Sequence, residues 1–142
     1  VRIIGIDWGE KRIGVAVSDP LQNIAYGVRS IENSRDNGVG LKNIEMFLDE
    51  YSPVEEIIVG LPKTMRGETG KKAEEVLLFV ERLKGVVNIP VFTWDERLST
   101  VAAERPLKDA NISVRKRKKL IDASAAAFML QGYLDHKKRA AK

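Results

Sequence analysis

The segment Glu56-Ile57-Ile58-Val59-Gly60-Leu61 is an almost unbroken apolar run with a helical pattern on either side of it in the chain. No other stretch constrains the fold as much. A run apolar on both of its faces is buried on both, as a central strand of a helix-covered sheet is. Upstream, Val39 to Tyr51 carries Leu41, Ile44, Phe47 and Leu48 at helical spacing, and Pro53 stops that helix. Downstream, Ala73, Val76, Leu77, Val80 and Leu83 share one face of an amphipathic helix, and Pro90-Val91-Phe92-Thr93-Trp94 reads as a further strand. A strand-helix-strand-helix-strand series implies parallel pairing through right-handed crossovers.

Three strands come before this series. Ile3 to Asp7 is a short apolar run that ends in an acid, and Trp8-Gly9-Glu10-Lys11 is a turn. Arg12 to Asp19 alternates well enough to form a hairpin with the first strand, Pro20 ends it, and Tyr26 to Ile31 is a third strand. Helical segments around Val101–Ala110 and Lys116–His136 close the chain. The expectation is one mixed α/β domain over residues 1–142, with an antiparallel hairpin added to parallel strands and helices flanking the sheet. Pro106 falls inside the first of the closing helices. It should break or kink that helix at a cost of about 3 kcal/mol unless it starts a new turn.

Composition narrows the chemistry. There is no cysteine and only one histidine, His136, in the basic tail. Disulfides, thiolate metal sites and cysteine nucleophiles are therefore out, and His136 reads as a surface imidazole. No stretch approaches the ~20 apolar residues that span a bilayer. Val1-Arg2-Ile3-Ile4-Gly5 runs straight into strand-like sequence without a signal-peptide layout, so a cytoplasmic location is expected. Val rather than Met at position 1 points to a trimmed start or a non-standard initiation codon. Residues 115–142 hold nine Lys/Arg against Asp122 and Asp135, a net +7, so a chain total of +4 leaves −3 for the rest. Basicity concentrated in one quarter of the chain suits a polyanion-binding surface.

With cysteine and histidine set aside, hydrolytic chemistry falls to carboxylates, hydroxyls or lysines. Carboxylates suit hard cations such as Mg²⁺ or Mn²⁺. Asp7 ends an apolar strand, where a lone charge is costly unless it is paired or metal-bound. Asp95-Glu96 end another, and Asp122 precedes Ala123-Ser124-Ala125-Ala126-Ala127, small residues that let a helix approach a sheet closely. Two acids at strand ends and one on a close-packed helix are what a two-metal site requires. Phosphate loops fare worse. Gly67-Glu68-Thr69-Gly70-Lys71-Lys72 has Met65 and Lys72 where a P-loop needs Gly and Ser/Thr, and Gly38-Val39-Gly40 has Asn43 in the third glycine's place.

Gly5-Ile6-Asp7-Trp8-Gly9-Glu10-Lys11-Arg12-Ile13-Gly14-Val15-Ala16-Val17-Ser18-Asp19 closely resembles the opening of the RuvX/YqgF family. That family comprises ribonuclease-H-like bacterial proteins described as Holliday junction resolvases and as pre-16S ribosomal RNA nucleases. Gly60-Leu61-Pro62 with Met65, Gly67 and Gly70 resembles its second block, Asp95 to Thr100 its third, and Asp122 with Ala125-Ala126 and Leu130-Gln131 its fourth. The resemblance implies a ribonuclease-H-like fold and metal-ligand and catalytic roles for Asp7, Glu96 and Asp122, with Asp95 as the substitute for Glu96. Lys11, Arg12 and Arg97 would contact phosphates beside the metals, and part of the run Arg115, Lys116, Arg117, Lys118 and Lys119 would grip the nucleic-acid backbone.

The activity expected is two-metal endonucleolytic hydrolysis of phosphodiester bonds with Mg²⁺ or Mn²⁺, favouring the 5′ end of pre-16S rRNA over four-way DNA. A junction resolvase needs a stable two-fold dimer, and the sequence shows no apolar surface to spare, so a monomer is favoured. Two other classes compete. An ATP-binding domain of the sugar-kinase/actin kind shares the Asp7, Gly9 and Gly14 pattern but needs a second lobe. A non-catalytic nucleic-acid-binding module would have no use for clustered acids.

Overall fold

Alternation along β1 (Arg2–Asp7) sends Ile4 and Ile6 to one side of the sheet and Ile3 and Gly5 to the other, the period of two that strands impose. The computed structural model describes residues 1–62, 70–96 and 125–140. Within them β2 (Arg12–Ser18), β3 (Ala25–Glu32), β4 (Val54–Leu61) and β5 (Val91–Asp95) join β1 in a five-stranded sheet of order β3-β2-β1-β4-β5. β2 is antiparallel to both β1 and β3, whereas β1, β4 and β5 run parallel. The apolar run is thus an interior strand, and the opening hairpin is antiparallel, as the sequence pattern indicates. The fold is that of the ribonuclease-H-like class.

Helices α1 (Gly38–Tyr51) and α2 (Lys71–Val86) cover the face that carries Ile4, Ile6, Ile13, Val15, Ile57 and Val59. Helix α3 (Ala125–Ala140) covers the other, packing Ala126, Met129, Leu130 and Leu134 against Ile3, Ala16 and Ile58. Glycine sets how close α3 comes. A Cβ on Gly5 would lie 2.8 Å from the Leu130 Cβ and 3.3 Å from the Ala126 carbonyl oxygen. At the far end Tyr133 donates its hydroxyl to Glu56 at 2.6 Å. Gln131 accepts from the Ala25 amide at 2.9 Å and donates to the Asn23 carbonyl at 2.9 Å, tying the helix to the start of β3.

One expectation is corrected. Phe79 of α2 is fully buried, whereas Leu77 is 39% exposed. At about 100° per residue the two lie equally far, on opposite sides, from the centre of the stripe formed by Ala73, Val76, Val80 and Leu83, and the helix is seated with the Phe79 side against the sheet. Tyr26 and Phe92 are half-exposed, on the two edge strands where nothing on the described chain continues the sheet. The closing helix runs on to Ala140. Its expected beginning, the segment Val101–Ala110 and Pro106 lie outside the described residues. No helix among the described residues is long and apolar enough to cross a membrane.

Candidate active site

Strand parity and parallel direction decide which acids meet. Asp7 ends β1 on the same face as Ile3 and Gly5, toward α3, and its Cβ stands 3.7 Å from the position a Cβ on Gly14 would take. On β4 the residues of that face are Ile58 and Gly60. On β5, Trp94 pairs with Gly60 and packs edge-on against Tyr133 of α3, with ring centroids 5.5 Å apart. Glu96 follows two residues later. Because β1, β4 and β5 are parallel, their carboxyl ends share one edge of the sheet, where open α/β sheets hold their ligands.

Gly60 is the gap between the acids. A Cβ there would fall 2.5 Å from Oε1 of Glu96 and 2.9 Å from its Cγ, so the Glu96 side chain lies over a backbone without a substituent. From that position Glu96 hydrogen-bonds with Asp7. Burial, then the hydrogen bond to Asp7 and the negative charge of Asp7, push the Glu96 carboxyl up to about 7. Lys72 opposes the shift and Asp95 adds to it. Two carboxyl groups in contact need a proton or a cation between them, and the protonated Glu96 donates to Asp7. Of the two adjacent acids it is Glu96 that lies over Gly60, while Asp95 acts on it as a neighbouring negative charge.

A cleft of about 320 Å³ opens beside Asp7. Gly14, Gly27, Ser30 and Ala126 line it, together with Arg12 and Lys72, both exposed. Among the described residues neither cation has an ion-pair partner. Arg12 thus lines the cleft beside Asp7. Lys11 sits in the β1–β2 turn, exposed and outside the cleft lining, with its carbonyl accepting from the Asn33 amide at 2.9 Å. Asp122, Arg97 and the run Arg115, Lys116, Arg117, Lys118 and Lys119 lie outside the described residues. Among those described, no group of three or more acids or histidines gathers as a metal cluster. His136 is exposed, its ring 5.1 Å from that of Trp94, in keeping with a surface role.

Sequence reasoning missed Lys72 and two asparagines. Lys72 entered only as the residue that spoils a P-loop. A lysine in the first turn of a helix that follows a parallel strand is nevertheless well placed for an anion at that sheet edge. Asn33 donates through Nδ2 to the Gly9 carbonyl at 2.9 Å and to Oδ1 of Asn37 at 3.0 Å. Asn37 also accepts from the buried indole N–H of Trp8 at 3.0 Å. Its backbone is left-handed, φ 64°, a conformation asparagine tolerates better than most residues. This network fixes the turn between Asp7 and Arg12. It joins residues about 30 positions apart and leaves no periodic trace in the sequence.

A family model described as "RuvX: Holliday junction resolvase" matches residues 1–136. The chain belongs to the RuvX family. A relative from Desulforamulus reducens, named "Putative pre-16S rRNA nuclease", is 50% identical over 135 residues, covering 95% of this chain and 97% of the relative. Among solved structures, T. thermophilus RuvC in complex with a Holliday junction substrate superposes with a TM-score of 0.59 at 18% identity, covering 96% of each chain. That likeness extends to the fold. A ROK hexokinase from Thermus thermophilus reaches a TM-score of 0.50 at 18% identity over 75% of this chain but only 38% of its own. The kinase-like reading of the Asp7, Gly9 and Gly14 pattern thus reflects a shared fold, and membership of the RuvX family rests on the sequence match.

Proposed function

We propose that the protein is a metal-dependent endonuclease that hydrolyses phosphodiester bonds of precursor 16S rRNA at its 5′ end, acting as a monomer. The observation that carries the reading is the Glu96 carboxyl laid across Gly60 onto Asp7, beside a cleft lined by Arg12, Arg29 and Lys72. The donor set fits a hard divalent cation. Asp7 and Glu96 offer carboxylate oxygens in contact, and their shared proton marks a place where positive charge is missing. Asp7, Glu96 and Asp122, the last four residues before Ala126 in the chain, would hold Mg²⁺ or Mn²⁺. Bound there, such ions supply a water of lowered pKa and relieve charge on the leaving oxygen.

The remaining work falls to the chain's own groups. Arg12 and Lys72 neutralise charge that grows on the phosphoryl oxygens, a contribution largest where water is excluded. Asn33 and Asn37 hold the turn that carries Arg12 in register with Asp7. Arg97 and the 115–119 run would add positive charge for the substrate backbone. The choice of ribosomal precursor is supported by the name carried by a relative half identical over nearly the whole chain. Four-way DNA is the second reading, favoured by the description of the family model. Incubating the purified protein with precursor rRNA and with a four-way junction, in Mg²⁺ and in Mn²⁺, decides between them. Symmetric junction cleavage with untouched RNA would overturn the first reading, and Asp7→Asn is the inactive control for both.

A further inference from the structure

The geometry points to a subsite for one unpaired ribonucleotide in the cleft beside Asp7, next to the phosphate that is cut. This rests on the nuclease reading above and adds which form of substrate the site admits. At about 320 Å³ the cleft stands at the small end of ligand-sized pockets, roughly 300–1,000 Å³. That is the scale of a single nucleotide. Its floor is bare where Gly14 and Gly27 face it, and its wall at Ala126 carries only a methyl group. A sugar and base can therefore lie against backbone. The cleft begins at the acid itself, because a Cβ on Gly14 would stand 3.7 Å from the Asp7 Cβ and 3.7 Å from the Ala126 Cβ.

Charge and polarity are arranged to match. Arg12 and Lys72 line the cleft, and among the described residues neither has an ion-pair partner. Both can take a phosphate oxygen on either side of the seated nucleotide. Ser30, opposite Gly14 in the β2–β3 register, brings a hydroxyl to the cleft. A nucleotide seated this way has left its stack, which suits loops and single-stranded ends, the parts of RNA that proteins read most readily. A fully paired strand could meet the cations but not enter.

Binding of fluorescent RNA to the intact protein in chelator, where nothing is cut, tests the subsite. The probes are a short unstructured RNA and the same strand in a perfect duplex. Wild type should bind the single strand about tenfold more tightly than the duplex, about 1.4 kcal/mol. Gly14→Val and Ser30→Leu fill the cleft from adjacent strands. Each should abolish that preference by weakening single-strand binding, with duplex binding unchanged. Gly14→Val is crowded, so Ser30→Leu, at an exposed strand position, guards against a folding artefact. Equal affinity for the two probes, or an undiminished preference in a folded Ser30→Leu protein, would overturn the subsite. Failure of the nuclease reading looks different: the single strand would bind with the expected preference yet stay intact in Mg²⁺ and Mn²⁺.

Discussion

Glu96 occupies the space that a side chain on Gly60 would need, with its Oε1 2.5 Å and its Cγ 2.9 Å from where that Cβ would be. The consequence is specific to the site. Gly60→Ala adds one methyl group to β4, and the atoms it meets belong to a flexible side chain that can swing away. The fold should survive within about 1 kcal/mol. The Glu96 carboxyl should be displaced from Asp7, and misplacement by about 1 Å costs on the order of 10²-fold in rate. Nuclease assays beside urea unfolding check both halves. Full activity in a folded Gly60→Ala protein would show that the Glu96–Asp7 contact is dispensable.

The raised Glu96 carboxyl sets a pH dependence whose sign can be worked out. In the folded, metal-free protein it titrates at about 7, against an ordinary 4.5. Between those values the folded state keeps a proton that the unfolded chain has released. This group's contribution to stability is therefore greatest below about 4.5, falls as pH rises toward 7, and is flat beyond. Asp19, Asp36 and Glu55 are held low by hydrogen bonds, first from the Ile24 amide, the Gly38 amide and the Gln22 side chain respectively. Their contributions change only at lower pH and leave the window clear. Unfolding in chelator should show stability declining from pH 5 to pH 7, with a shallower decline in Asp7→Asn. Metal must displace the same proton, so Mg²⁺ or Mn²⁺ affinity should rise with pH up to about 7 and then level, as calorimetric titration would show.

Much of this arrangement is legible in the residues. The alternation of Ile3, Gly5 and Asp7 against Ile4 and Ile6 announces a strand ending in an acid, and the apolar run through Ile58 announces an interior strand. Asp7 and Glu96 stand out because each closes such a run. The role of Gly60 does not, because nothing local says that an acid from the neighbouring strand will lie over it. Lys72 and the Asn33–Asn37 pair are hidden for the same reason. Their partners arrive through tertiary packing, and helical or strand periodicity carries no record of that. Leu77 and Phe79 show a subtler loss, where two plausible stripe members differ by a rotation that only the packed sheet resolves.

Chelation and acid removal test the metal assignment. Activity should require Mg²⁺ or Mn²⁺ and vanish in chelator. Asp7→Asn and Asp122→Asn should each lower the rate by about 10³-fold or more, roughly 4 kcal/mol of transition-state stabilisation. Asp7→Asn should also stabilise the metal-free protein above pH 7, since it removes a negative charge pressed against Glu96. Asp122→Asn proteins that cut at the normal rate would remove Asp122 from the site.

The run Arg115–Lys119 should act on binding more than on chemistry. If the run is helical, as the sequence pattern around Lys116–His136 predicts, its five residues cover more than one turn, so only part of it can face one strand of nucleic acid. Replacing it with Gln and Ser should weaken binding and flatten its dependence on salt. For every phosphate that the altered run no longer neutralises, the log–log slope should shrink by about 0.9 on a duplex, or about 0.7 on a single strand. An unchanged slope would make the run an ordinary solvated surface.

Two glycines should respond to the same substitution with opposite signs. At Gly5 a methyl group meets the Leu130 Cβ at 2.8 Å. Leu130 cannot retreat without α3, because the crowded atom is its Cβ and not a flexible tip. Gly5→Ala should therefore cost about 1–3 kcal/mol, the usual penalty for overpacking a tight interface. It should also lower nuclease activity, since Ala125 and Ala126 at the start of α3 line the cleft beside Asp7. At Gly85, one residue from the end of α2, an added Cβ meets nothing within 4 Å. There the substitution only removes the backbone freedom that glycine has in the unfolded chain, a gain of up to about 1 kcal/mol. Activity should not change, because Gly85 lies on the far side of the sheet, near the opposite end of α2 from Lys72. Urea unfolding of the two variants beside wild type, with nuclease assays on the same preparations, gives both signs in one experiment. A neutral Gly5→Ala would mean that α3 is seated more loosely on β1 than a 2.8 Å approach allows.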